Sequence, residues 1–318
     1  LIGRHLFAIA LAVLLGPGAA MAQSPPESKL FDPTAVVAGI SIDRHQCAAF
    51  ERAETAVWVD GYCLRYYAAG LAQRANPIAT LWLNGDILGP KGDNADKRQK
   101  GIGPATMTAQ MDGLSRRFGV PVIFLGRPGT YGSAGKHHAM RGRKIEADLV
   151  AAAIDALKSR YNIRAWALGG HSGGGTLVGE MLARRDDLRC AVISSGAVAY
   201  RAYLEARGLI KPGAALTRFD PAASLDRVPK NPARRIFMIG DPRETNVPFA
   251  TQKLYYDGLL ARGHAAKLIP LARATDARHH DLVDFAEMAL GMCAGGASDE
   301  AIAQALRALP EPPPRVTN

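Results

Sequence analysis

The chain has 318 residues, of which 48 % are apolar and 21 % charged, and its formal net charge is +10. These proportions are those of an ordinary globular protein. They exclude a disordered tail, a collagen-like chain and a small disulfide scaffold. The charge favours acidic partners or surfaces and says nothing about fold.

Residues 1–22 read as an export leader. Arg4 and His5 give a short basic start, 6–15 (LFAIALAVLL) are continuously apolar, and Gly16-Pro17-Gly18 break the run. Ala20-Met21-Ala22 then has the small-x-small spacing of a signal-peptidase site. A membrane span needs about 20 apolar residues, so this run makes no stable anchor. Cleavage before Gln23 leaves 23–318 as a single domain, periplasmic or secreted. An even count of cysteines in an oxidising compartment favours disulfides. Proximity in sequence pairs Cys47 with Cys63 and, by elimination, Cys190 with Cys293. No C-x-x-C occurs, which argues against a zinc ribbon or a thioredoxin site.

Strand and helix signals alternate through the middle of the chain. Residues 56–70 predict a β-hairpin turning at Asp60-Gly61. Strand-like apolar runs follow at 79–84, 120–126, 163–169, 189–198, 234–240 and 265–271. Between them lie helical segments near 105–118, 144–161, 173–185, 248–262 and 281–292. In 144–161 the spacing puts Ile145, Leu149, Ala153 and Leu157 on one face. Fully apolar strands alternating with helices predict an α/β fold: a mostly parallel sheet covered on both faces, with the hairpin adding antiparallel edge strands. The stretch 199–232 is the one irregular insertion, short for a lid domain.

The chemistry concentrates at the strand-to-helix turn 169–175, GGHSGGG. Gly170-x-Ser172-x-Gly174 places a serine on a sharp turn, where side chains two residues either side would clash. A phosphate loop would need G-K-[ST], and a dinucleotide turn G-x-G-x-x-G; neither is present. A serine hydroxyl is a weak nucleophile and needs a base oriented by an acid. Downstream, 241–249 (DPRETNVPF) follows one strand, and the loop after the last strand ends in His279-His280-Asp281-Leu282.

From about 55 to 292 the chain resembles the α/β-hydrolase family. The resemblance rests on the Ser172 elbow, Asn84-Gly85 in place of the usual His-Gly turn, Arg127-Pro128-Gly129 with Gly132-x-x-Gly135, and Glu244-x-x-Val247-Pro248. The last piece is similar to the Asp-x-x-Val-Pro acid loop of prolyl-oligopeptidase-like and esterase-like members. The resemblance implies Ser172 as nucleophile and His280 as base, preferred over His279 because it precedes the helix start. It implies Glu244 as acid, with Asp241 the competitor just past the strand end. The oxyanion donors would be the N–H groups of Gly173 and Asp86, with the Asp86 carboxylate turned away. No cofactor or metal is implied; the adjacent pair His137-His138 is not a metal-ligand spacing.

Two basic stretches follow strand ends on the expected ligand face: Lys136, Arg141, Arg143 and Lys144, and Lys91, Lys97, Arg98 and Lys100. A substrate carrying a carboxylate or phosphate is one reading; a solvated basic loop is the favoured one. Nothing resembles a nucleic-acid-binding module. The expected function is an exported serine hydrolase acting on a small carboxylic ester through an acyl-enzyme. A short-peptide or aminoacyl peptidase with the same residues is the alternative, and a non-catalytic binding protein on this fold is the second.

Overall fold

The structure, a computed structural model, describes residues 27–95 and 101–310. The expected leader lies outside the described residues, as do Lys97, Arg98 and Lys100 of the second basic stretch.

Eight strands form one sheet in the order β1-β2-β4-β3-β5-β6-β7-β8. The hairpin is β1 (Ala56–Val59) and β2 (Tyr62–Ala69), paired antiparallel. Its turn residues Asp60 (φ 45°) and Gly61 (φ 83°) both have positive φ, which suits a two-residue Asp-Gly hairpin. β2 also runs antiparallel to β4 (Val122–Leu125). All other pairs are parallel: β3 (Asn76–Leu83) with β4 and with β5 (Ile163–His171), then β6 (Leu188–Ser194), β7 (Arg235–Gly240) and β8 (Ala266–Pro270). A mostly parallel sheet with an antiparallel edge is the architecture that the strand–helix alternation predicts.

Side chains alternate across the strands, so the sheet feeds two cores. One face carries Trp82, Phe124 and Phe237, covered by α3 (Pro104–Phe118) and α9 (Val283–Ala294), the latter supplying Phe285. The other carries Leu81, Trp166 and Met238 beneath α5 (Lys144–Arg160), α6 (Gly173–Leu182) and α8 (Phe249–Ala261). Within α5 the buried stripe runs through Leu149, Val150, Ala153, Ile154 and Leu157. Ile145, expected on that face, is 41 % exposed, because the buried stripe begins at Glu146 and Ala147 and Ile145 falls to one side of it.

Several elements had no sequence-level expectation. α1 (Pro33–Ala38) and α2 (Arg44–Arg52) precede the hairpin, each started by an aspartate cap, Asp32 and Asp43. α4 (His137–Met140) is a single turn in the basic stretch. The insertion 199–232 holds α7 (Tyr200–Ala206) and a 3₁₀ segment, Pro221–Arg227. α10 (Asp299–Ala308) closes the described chain against α9.

The cysteines pair as expected. Cys47 on α2 bonds Cys63 on β2, and Cys190 on β6 bonds Cys293 on α9. The first staples the N-terminal helices to the sheet edge, the second a covering helix to the sheet centre. The two loops span 16 and 103 residues of sequence separation. The chain-entropy argument gives about 3 kcal/mol for the shorter and about 4–5 kcal/mol for the longer. Urea denaturation should therefore show C190A/C293A losing more unfolding free energy than C47A/C63A. Equal losses would assign the stabilisation to local packing instead.

Candidate active site

β5 ends in a turn that sterics force into an unusual shape. Ser172 has φ 54° and ψ −121°, outside the regions favoured by side-chain-bearing residues. A Cβ on Gly170 would stand 2.5 Å from the Gly174 carbonyl carbon, and one on Gly174 would stand 2.0 Å from Leu83 O. Both positions exclude any side chain. The backbone holds the turn, with Ser172 N donating to Ser194 O at 2.8 Å and Thr176 N to Ser172 O at 2.9 Å. Serine at a helix start commonly caps with its hydroxyl, but Ser172 makes no such bond. Its hydroxyl is released from the helix and borders the cleft described below.

His280 sits on the loop after β8 and borders the same cleft. Its Nδ1 is hydrogen-bonded to Oε1 of Glu244, whose side chain is fully buried. Glu244 is fixed in turn: Val247 N donates to Oε1 at 2.9 Å and Gln252 Nε2 to Oε2 at 2.9 Å. A carboxylate only accepts, so Nδ1 carries a proton, and in the neutral ring the lone pair is on Nε2. Asp241 is engaged elsewhere. It accepts from Arg243 N, Nε and Nη2 at 2.9, 3.0 and 2.7 Å and from Ala274 N at 3.1 Å. Burial alone would raise its carboxyl pKa; the Arg243 and Ala274 bonds outweigh that and lower it. His279 turns from the cleft, with Nδ1 3.3 Å from Ala274 O.

Sequence reasoning missed the group that presents His280. Buried Asp276 accepts from Arg278 N at 3.1 Å, His280 N at 2.7 Å and Asp281 N at 2.8 Å. Burial would raise its pKa, but the three backbone donors lower it. On the other side, Ser195 Oγ donates to His280 O at 2.9 Å. An aspartate shortly before the histidine, in a run without helical or strand spacing, is the local sign of such a turn.

The loop after β3 approaches the elbow from the third side. A Cβ on Gly173 would lie 2.3 Å from Asp86 Oδ1, so the carboxylate leans toward the elbow instead of away. Two buried arginines neutralise it. Arg127 Nη1 donates to Asp86 Oδ1 at 2.8 Å and to Asn84 O at 3.1 Å. Arg141 Nη1 donates to Asp86 Oδ2 at 3.2 Å and to Leu88 O at 2.9 Å; its Nη2 reaches Gly89 O at 2.9 Å and Pro90 O at 3.2 Å. Arg127 is balanced behind by Glu146, its Nε 2.8 Å from Oε1. Burial would raise the Asp86 pKa, but the guanidinium groups, Arg127 foremost and then Arg141, hold it well below the carboxylate range. His137, buried beside this cluster, is pushed down to about 3, first by burial and then by Arg127. It is neutral at physiological pH, which leaves the arginines to compensate Asp86. The reading of the 135–144 stretch as a solvated basic loop holds for Lys136, Arg143 and Lys144, which are exposed, and fails for His137 and Arg141, which are buried. A charged residue in a polar loop looks solvated until its acceptors, here on 84–90, are known. The N–H groups of Gly173 and Asp86 have no acceptor among the described residues.

Ser172, Gly173, Asp86 and His280 border one cleft of about 970 Å³. Trp82, Met107 and Phe124 line it, as do Tyr200, Tyr203 and Leu204 from α7.

No protein-family model matches the chain, and no curated protein matches it in sequence. Solved structures are similar in fold. Est1E from Butyrivibrio proteoclasticus, solved with ferulic acid bound, is 14 % identical, with 80 % of this chain and 98 % of that chain covered and a TM-score of 0.50. The esterase Pf2001 of Pyrococcus furiosus is 13 % identical, with 75 % and 84 % covered and a TM-score of 0.51. Porphyromonas gingivalis dipeptidyl peptidase 4 is 14 % identical, with 67 % of this chain and 31 % of that longer chain covered and a TM-score of 0.48. The likeness to the two esterase structures is one of fold, and with the strand order above it identifies the α/β-hydrolase fold.

Alanine should have opposite effects at two glycines. Gly174→Ala should cost about 3 kcal/mol, because backbone must move. Gly113→Ala, on an open face of α3 with nothing within 4 Å, should gain about 0.5–1 kcal/mol from helix propensity. Chemical denaturation reads both, and a neutral Gly174→Ala would contradict the close approach.

Proposed function

We propose that this chain is an exported serine hydrolase that cleaves a carboxylic ester through an acyl-enzyme on Ser172. The observation that carries the reading is the conjunction at one cleft of an uncapped serine on a strained elbow and a histidine held by a buried glutamate. His280 Nε2 takes the proton from Ser172 Oγ as Oγ bonds to the carbonyl carbon. The carbonyl oxygen becomes an oxyanion, which the N–H groups of Gly173 and Asp86 meet, aided by the positive end of α6. Glu244 stabilises the imidazolium and keeps its orientation. His280 then gives its proton to the leaving alcohol oxygen as the C–O bond breaks. Water enters, loses a proton to His280 and attacks the acyl carbon. The Ser172 Oγ–carbon bond breaks and the proton returns to Oγ.

Arg127 and Arg141 support this chemistry indirectly. They hold the 84–90 loop by its carbonyls and cancel the Asp86 charge, which would otherwise repel the oxyanion. The same neutralisation favours an ester over an aminoacyl or dipeptide substrate. Such a substrate's ammonium needs a free carboxylate beside the reacting groups; Asp86 and Asp276 there are both engaged, and the other carboxylates of the cleft are Asp93, exposed on the loop after β3, and Glu287 on α9.

The leader 1–22 and the two disulfides support export. No helix among the described residues is long and apolar enough to cross a membrane. Export predicts that N-terminal sequencing of the protein from the extracytoplasmic fraction starts at Gln23; an intact leader there would contradict it.

Kinetics on a nitrophenyl butyrate ester test the assignment of roles. Ser172→Ala should abolish turnover. Glu244→Gln should lower kcat by about 10³–10⁴, the scale expected when the acid of such a triad loses its charge. Asp241→Asn should stay within about tenfold of wild type while losing stability, because its contacts are structural. The reverse ranking would place the acid at Asp241.

A further inference from the structure

Not every charge around the cleft has an ion-pair partner. Asp86 and Glu146 are matched by Arg127 and Arg141, two against two. Asp276 is taken up by backbone donors. Arg218 on the insertion has no ion-pair partner among the described residues. The carboxylate nearest it in sequence, Asp220, caps the start of α7 instead, accepting from Tyr200 N at 2.9 Å and Arg201 N at 3.2 Å.

Arg218 is nonetheless a built part of the wall. Its guanidinium carbon stands 5.9 Å from the Tyr200 ring centroid. Its stem packs on Gly142, where an added Cβ would meet Arg218 Cδ at 2.7 Å. The adjacent Phe219 N donates to Gly142 O at 2.8 Å, tying this segment to the residue after Arg141. The side chain is half-buried and borders the same cleft as Ser172 and His280. At the rim the exposed cations Lys91 and Arg278 are accompanied by the carboxylates Asp93 and Glu287, so the uncompensated charge is that of Arg218 itself. A half-buried guanidinium without a counter-charge has lost hydration that an arriving carboxylate restores, through two parallel charge-assisted hydrogen bonds.

We propose that Arg218 reads an anion on the substrate: the ester carries a carboxylate, on its acyl or its alcohol side, that pairs with this guanidinium beside Tyr200. The inference rests on the serine-hydrolase reading and names the substrate class for that site.

Matched esters test it. The nitrophenyl monoester of adipic acid against nitrophenyl hexanoate varies the acyl side; carboxyphenyl hexanoate against phenyl hexanoate varies the alcohol side. At low ionic strength wild type should prefer the anionic member of one pair by about tenfold or more in kcat/KM, and added salt should shrink the preference. The pair that shows it identifies the side. Arg218→Gln should lower kcat/KM for the anionic ester about 10–100-fold more than for its neutral match. Arg218→Lys should restore part of the difference, and Arg218→Glu should invert it. Equal losses on both members would show a merely structural arginine and overturn the proposal. So would a wild-type ratio of one or less in both pairs, a result that needs no variant to fold. Calorimetric binding of the esters to Ser172→Ala reads the same preference without turnover. Selective binding with no hydrolysis by wild type would sink the hydrolase reading and keep the anion site; hydrolysis without selectivity would do the opposite.

Discussion

The contact on which the site depends is backbone on backbone. At Gly174 the first turn of α6 lies so close to the end of β3 that a Cβ would fall 2.0 Å from Leu83 O. This approach locks the elbow and brings the loop after β3 beside Ser172. The sheet order makes it possible, because β3 and β5 are neighbours with Leu83 opposite Gly170. β7 and β8 extend the same sheet beyond β6, and their carboxyl-end loops carry Glu244 and His280 to the same edge. In a parallel sheet every strand's carboxyl end faces one rim, so three distant segments of chain meet there without long connections.

Electrostatics then determine what that rim can do. A carboxylate at Asp86, leaning toward the elbow, would oppose a developing negative charge. Arg127 and Arg141 cancel it and clamp its loop, and Glu146 keeps Arg127 from carrying excess charge into the core. The network is hydrogen-bonded and electrically balanced, with Arg127, Arg141 and Glu146 buried and Asp86 partly exposed to the cleft, the condition under which interior ion pairs are tolerated. The net charge of the chain therefore says little about this region. What matters is which arginines are spent on carboxylates and carbonyls and which, like Arg218, are not.

Much of the scaffold was legible from local pattern. Apolar runs mark the strands because parallel strands are buried on both faces, and the Asp60-Gly61 pair marks its hairpin because both positions need positive φ. The G-x-S-x-G spacing around Ser172 is legible for a steric reason, now visible as the short distances at Gly170 and Gly174. The spacing back from Val247 pointed to Glu244, and the His280 hydrogen bond falls on that residue. Other features depend on contacts across long sequence separations and leave no local mark. Arg141 reads as a loop cation, yet its acceptors lie about fifty residues earlier, on 88–90. Asp276 reads as an ordinary turn residue, and only the path of the 276–281 loop shows it holding His280. α1 and α2 are short and polar, stabilised by caps and a disulfide more than by periodicity.

The elbow is proposed to turn one particular hydroxyl, that of Ser172, into a nucleophile. A fluorophosphonate reacts with activated serines and is indifferent to the preferred ester, so it isolates this claim from substrate choice. Labelling of the wild-type protein followed by peptide mass mapping should find one adduct per chain, on Ser172, and none in Ser172→Ala. An unlabelled wild-type protein, or an adduct on any other residue, would contradict the account.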